Sequence, residues 1–237
     1  MTTRRLAMER GQMAGTTQHM HSSRTAARIT MLVMTLALSA CSGSFFESDL
    51  PVPTRYVIAP PAAAESATSS HASQVDLAIG RPDVAPGLDS DRIAVLRGHE
   101  LDFYRGALWS GTVLDTVQTF LVSALQDQKR FRSVAPEQAR ITGDYILDVE
   151  VRDFQAEYAS AAALPVAHVT LVCRLIRISD RRMVDTLSVT GSQPASENRL
   201  ATVAGAFETV MQQLSLELAT RTADLISRDR EQNPPRS

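Results

Sequence analysis

Across residues 144–154 apolar and polar positions alternate, with Tyr145, Leu147, Val149 and Val151 on one side and Asp148, Glu150 and Arg152 on the other. A period of two sets one row against a core and the other against water, so the stretch predicts a half-buried strand. Residues 166–178 and 183–191 predict the next two strands, joined by Ser179-Asp180-Arg181-Arg182 as a tight hairpin. Upstream, residues 75–80 and 92–97 read as strands separated by a turn-rich connection, and residues 100–104 fold back on 92–97 after Gly98. Short strands are expected at 55–59 and 131–134. The period then changes to that of a helix. Val113, Leu114, Val117, Phe120, Leu121, Ala124 and Leu125 make one apolar face over 111–127. Val203, Phe207, Val210, Met211, Leu214, Leu218, Leu225 and Ile226 do the same over 198–228. The expected fold is α+β: an antiparallel sheet of about five to six strands with two long amphipathic helices packed on one face. The other face is left to solvent or to a partner.

The N-terminal segment has a different pattern. An apolar run over 29–40 follows Arg24 and Arg28 and ends in Leu38-Ser39-Ala40-Cys41. A basic flank, a short apolar run and small residues before a cut are the marks of a secretory signal. The run is too short to span a bilayer, which takes about 20 apolar residues. A cysteine at this place identifies a bacterial lipoprotein signal, cleaved after Ala40, with the Cys41 sulfur carrying diacylglycerol and its new amino group a further acyl chain. More than one chain makes such an anchor stable. Ser42 rather than aspartate follows, which sorts a lipoprotein to the outer membrane of a Gram-negative cell, facing the periplasm. Translation is expected to begin at Met1, Met13 or Met20.

The domain boundaries follow from these patterns. Residues 1–40 are the signal peptide, and 41–54, with Gly43, Pro51 and Pro53, are the lipidated cysteine and its tether. Residues 55–228 are the globular domain, interrupted by a flexible Ala/Ser/Pro loop at 60–74, and 229–237 are a disordered tail. Removing the signal takes five of the 24 Lys and Arg and one of the 26 Asp and Glu. The mature chain then carries 19 basic and 25 acidic side chains, net −6. An acidic mature domain argues against nucleic acid as a partner.

Candidate chemistry is sparse. Once Cys41 is lipidated, Cys173 is the one cysteine left, so no internal disulfide forms. Cys173 lies in a strand-like run and reads as a small core residue. A catalytic thiol needs a nearby base, and His168, five positions away, points to the opposite face of the same strand. His71 falls in the loop, and His99 and His168 have no convergent partners in the sequence. Asp148, Glu150 and Asp153 belong to a wet strand face opposed by Arg152. No glycine-rich phosphate loop, metal-spaced Cys/His set or nucleophile elbow is present, so the chain is expected not to be an enzyme and to hold no cofactor or metal. Trp109, the single tryptophan, reads either as a staple between helix and sheet or as an exposed partner contact.

The order of features resembles a known family. Tyr56-Val57-Ile58, the strand at 75–80, Pro86-Gly87-Leu88-Asp89-Ser90-Asp91-Arg92 running into Ile93-Ala94-Val95-Leu96-Arg97, Leu101-Asp102-Phe103-Tyr104, Leu108-Trp109 opening a helix, and Asp148-Val149-Glu150-Val151-Arg152-Asp153-Phe154 are similar to the ABC-type transport auxiliary lipoproteins. This is the family of the paraquat-inducible protein C lipoprotein. Two departures stand out: the turn arginine is displaced to Arg92, and Leu108 replaces an arginine before Trp109. The resemblance transfers no catalytic residue. It implies a subunit beside a mammalian-cell-entry (MCE) type lipid transport system, docking the periplasmic MCE protein and, through it, an inner-membrane permease and ATPase. The exposed sheet face or an edge strand is the expected contact. The competing expectation is a structural or assembly lipoprotein of the outer membrane unrelated to ABC transport.

Overall fold

Fourteen residues of unbroken strand, β7 (Tyr145–Tyr158), form the spine of the molecule. The computed structural model describes residues 52–61, 73–139 and 143–234. Cys41, most of its tether, His71 and most of the 60–74 loop lie outside them. Along one side of β7 runs β8 (Val166–Arg177), antiparallel over its length, and outside that β9 (Arg182–Pro194), also antiparallel. Along the other side three strands lie end to end and parallel to β7. These are β2 (Ser73–Ile79) beside Tyr145 to Leu147, β3 (Asp83–Val84) beside Glu150 and Val151, and β4 (Arg92–Arg97) beside Gln155 to Tyr158. Outside β2 lies β6 (Phe131–Pro136), parallel to it. Outside β4 lies β5 (Glu100–Trp109), antiparallel, and β5 in turn carries β1 (Thr54–Tyr56), parallel.

Helix α1 (Val113–Asp127) opens on Thr112, whose hydroxyl oxygen accepts from the Asp115 backbone N–H at 3.2 Å while its O–H donates to the Asp115 carboxylate at 2.8 Å. That reciprocal cap satisfies a donor the first turn leaves orphaned. Helix α2 (Leu200–Gln232) runs from the Tyr158 end of the spine, where the Tyr158 hydroxyl donates to Asn198 at 2.7 Å, back to the Tyr145 end. Its 33 residues span roughly 50 Å, against roughly 45 Å for β7. The lengths match, and so α2 covers the sheet from end to end. Both helices share one apolar cluster with the inward residues of β7 and β8: Phe120, Leu121, Phe207 and Met211 belong to it with Leu147, Val149, Val151 and Leu171. Gly191 marks a close approach of α2 to β9, because a Cβ there would stand 3.0 Å from Val210 Cγ1 and 3.2 Å from Leu214 Cδ2. Gly191→Ala is therefore expected to cost about 1–3 kcal/mol of stability as an overpacking defect, read as a lower urea midpoint with unchanged slope.

The structure corrects the expected sheet. Among the described residues it has nine strands and is mixed, not antiparallel with five or six. Alternation has the same period in parallel and antiparallel strands, so the pattern marks strands without orienting them. The breaks at Arg81-Pro82 and Pro86-Gly87 let the chain step along β7 without reversing, and β3 forms inside what the sequence presents as a connection. A second correction concerns the tail. Helix α2 continues to Gln232, so residues 229–232 are helical, and Asp229 is buried. Among the described residues no helix is long and apolar enough to cross a membrane.

Candidate functional site

The face of the sheet turned away from the helices carries a ladder of charge. Arg174 on β8 donates from Nη1 to Asp148 at 3.1 Å and from Nη2 to Glu150 at 2.6 Å, both on β7. Glu150 also accepts from Arg152 Nε at 2.9 Å. Its carboxyl is held below the usual range by the Arg152 hydrogen bond first and the Arg174 bond as well. Farther along, a β-bulge between Val151 and Asp153 resets the pleat, keeping Asp153 outward opposite Thr170 while Phe154 turns inward opposite Val169. His168 Nε2 stands 4.0 Å from Asp153 on this face. The hydroxyls of Thr170 and Thr190 meet at 3.2 Å across β8 and β9. The arrangement presents interleaved charges and hydroxyls to whatever lies over the sheet. Of the three carboxylates singled out from the sequence, Asp148 and Glu150 are paired with arginines and Asp153 stands beside His168.

Among the described residues strand β9 pairs with β8 alone, so its outer side is an edge of the sheet. Two backbone groups on it are already capped: the Ser188 carbonyl accepts from Arg221 at 2.9 Å, and the Thr186 N–H donates to Asp185 at 2.8 Å. By alternation Thr190 and Ser192 turn their backbone groups the same way.

Trp109 is not a partner contact. It is fully buried, edge-on to Phe154 at 5.7 Å and to Phe207 at 5.3 Å, so it joins β5, β7 and α2 as a staple. Cys173 is buried on the core face of β8, and burial pushes its thiol up to about 12. A thiol so protonated is inert as a nucleophile. His99 is exposed at the β4–β5 turn, far from the Cys173 row.

Sequence reasoning overlooked the lower end of the spine, where β7 begins. There Asp229 accepts from the Tyr145 hydroxyl at 2.7 Å and from Arg177 Nη2 at 2.8 Å, and Asn233 adds a longer bond. The signal was present: Asp229 follows Leu225 by four positions and Ile226 by three, on the apolar stripe of α2, where a carboxylate needs a buried partner. Beside it, Asp76 accepts from Arg132 Nε at 2.9 Å and from the Ser133 hydroxyl at 2.7 Å. Those two bonds, the arginine's the larger, lower the Asp76 carboxyl from 3.8 to about 2. A depressed folded value stabilises the fold fully above the unfolded value and is lost as pH falls from about 4 through 2. Arg132→Gln removes the arginine's share of that stabilisation and leaves the Ser133 bond. The stability gap between wild type and variant is expected to be widest at pH 5 and to close toward pH 2 in urea titrations; a gap constant with pH would exclude the linkage.

The comparisons with known proteins agree with this architecture. The model of the ABC-type transport auxiliary lipoprotein component matches residues 56–219. The chain belongs to that family. A crystal structure of a Xanthomonas campestris protein described by the family model DUF330 is similar at 30% identity, with 77% of this chain and 99% of that one covered and a TM-score of 0.61. A second crystal structure, of an uncharacterized protein, shares the fold at 12% identity and a TM-score of 0.58, with 72% of this chain and 99% of that one covered. No curated protein matches the chain by sequence. The match runs from Tyr56, the last residue of β1, through most of α2, so the helix-backed sheet is the family domain and the segment before Tyr56 lies outside it.

Proposed function

We propose that this family member is anchored to the outer membrane through lipidated Cys41 and serves as the docking subunit of an MCE-type ABC lipid transport system. It holds the periplasmic MCE protein and, through it, the inner-membrane permease and ATPase, and so contributes to lipid traffic between the membranes. The observation that carries this reading is the match of residues 56–219 to the family of ABC-type transport auxiliary lipoprotein components. The lipobox sequence at Leu38 to Cys41 and the short proline-bearing tether supply an anchor. Tethering raises the local concentration of two partners without chemistry at the domain itself. The domain acts by contact and is not an enzyme; the outer sheet face and the β9 edge are the surfaces it offers.

The test is affinity capture of the full chain from detergent-solubilised envelopes with mass spectrometry of what it brings down. Recovery of an MCE protein with its permease is the expected result. Recovery of only an outer-membrane protein or peptidoglycan-linked material would replace this reading with that of an assembly lipoprotein. Metabolic labelling with palmitate is expected to mark the wild type and not Cys41→Ser.

A further inference from the structure

The edges of the sheet differ in what guards them. Among the described residues β1 is three residues long and carries Arg55, β6 carries Arg132 and ends in Pro136, and the part of β5 beyond β1 carries Glu100, Asp102 and Arg105. Brevity, charge and proline are what keep a sheet edge from pairing with another chain. Strand β9 lacks all three over its middle: from Thr186 to Gln193 it has no charged residue and no proline. Its edge-facing backbone groups belong to Thr186, Ser188, Thr190 and Ser192, whose side chains are exposed on the outer face, while Leu187 and Val189 are buried on the helix side. The two caps on this edge come from side chains of the same molecule, and the arginine has an alternative. Arg221 Nη1, which donates to the Ser188 carbonyl at 2.9 Å, stands equally close to Glu217.

We infer that β9 pairs antiparallel with the β9 of a second copy of this chain, about a two-fold axis at Val189, so that two sheets become one. In that register Thr186 faces Ser192 of the second copy and Ser188 faces its Thr190, so all four edge residues exchange backbone hydrogen bonds and the uncharged stretch lies against itself. Asp185 then falls opposite Gln193 and Val184 opposite Pro194, so no like charges meet and the proline, with no N–H to give, stands beyond the last pair. Two observations favour a second copy over a strand of another protein. Helix α2 rests on both β8 and β9. With strands about 4.8 Å apart, the two α2 helices of the paired sheet come to roughly 10 Å, the separation at which helices pack. The flank of α2 toward the edge carries Glu217, Arg221, Asp224 and Arg228, spaced by four, three and four. A row that alternates in sign and sums to zero attracts no partner of one sign, but it opposes unlike charges when it meets its own reversed copy. The pairing takes the β9 edge and leaves the outer sheet face, doubled in width, to the transport partner.

The test uses the full chain in detergent, with micelles in excess over chains so that a shared micelle does not imitate association. Sedimentation velocity is expected to show a monomer passing to a dimer in the micromolar range. Thr190→Lys places a charge beside the axis and is expected to raise the dissociation constant about tenfold or more. Thr119→Lys adds the same charge on the exposed side of α1 and is expected to leave it unchanged. Circular dichroism checks that both variants are folded. Oxidation with copper phenanthroline reads the register. Ser188→Cys chains mixed with Thr190→Cys chains are expected to give a covalent dimer, because facing residues of a hydrogen-bonded pair stand about 5.5 Å apart at Cα, within reach of a disulfide, and neither variant gives one alone. Cys173 is buried and takes no part. A chain that stays monomeric at hundreds of micromolar, an assembly larger than a dimer, or an equal weakening by Thr119→Lys overturns the pairing, and a covalent dimer of Ser188→Cys alone overturns the register. A purified chain that stays monomeric while Ser188→Cys cross-links to another envelope protein in cells assigns the edge to that protein instead. Capture of the MCE protein is scored separately, so failure of the pairing leaves the docking role standing.

Discussion

Trp109→Ala is expected to lower unfolding stability by about 3–5 kcal/mol, the cost of emptying a large aromatic site in a core that cannot collapse around it. The ring is fully buried between Phe154 and Phe207, which themselves stand 4.9 Å apart, so its removal takes away two edge-on contacts as well as the buried area. Those contacts join three elements far apart in the chain. Against a typical total of about 5–15 kcal/mol, the loss is a large share of the margin. The indole Nε1 has no hydrogen-bond partner among the described residues, so the ring already leaves a buried donor unsatisfied. Trp109→Phe gives up volume but also removes that donor, and is expected to cost less than half as much. Urea unfolding followed by circular dichroism measures both, since the protein's single tryptophan is the one replaced. A Trp109→Ala chain with wild-type stability but weakened partner capture would restore the partner-contact reading.

What the sequence made legible, and what it hid, divides along one physical line. Features carried by neighbours in the chain could be read. The alternation of β7, the apolar faces of both helices, the hairpin turn whose Arg181 adopts φ 56°, and the pairing of Arg152 with Glu150 two positions away are local. Features that depend on which strand lies beside which could not. Arg174 reaches Asp148 and Glu150 only because β8 lies antiparallel to β7 in this register. The parallel course of β2, β3 and β4 along the spine leaves no trace in a period of two. Trp109 shows the same limit: its position before a helix suited both a staple and an exposed anchor, and only the arrival of Phe207 from α2 decides between them. The lipoprotein signal expected at Leu38 to Cys41 is a purely local pattern, and it lies outside the described residues.

Arg177→Met is expected to cost about 2–4 kcal/mol, toward the low side of what breaking a buried ion pair costs because the Arg177 side chain keeps 15% of its exposure. Its partner Asp229 keeps only 6%, so the variant leaves a carboxylate in the core interface with the Tyr145 hydroxyl and Asn233 as its remaining donors. The penalty therefore comes from the stranded charge more than from the lost attraction. A second substitution separates the two. Arg177→Met/Asp229→Leu removes both charges and extends the stripe of Leu225 and Ile226 by one apolar position, leaving the Tyr145 hydroxyl to turn toward solvent. The double variant is expected to recover at least half of the loss, because a buried pair replaced as a unit by apolar residues is often neutral. Urea midpoints of the wild type, the two single variants and the double variant close the cycle. A double variant as unstable as the sum of the singles would mean that Arg177 acts through Asp180 or through its own packing, and that the Asp229 contact does not secure the end of α2 to the sheet.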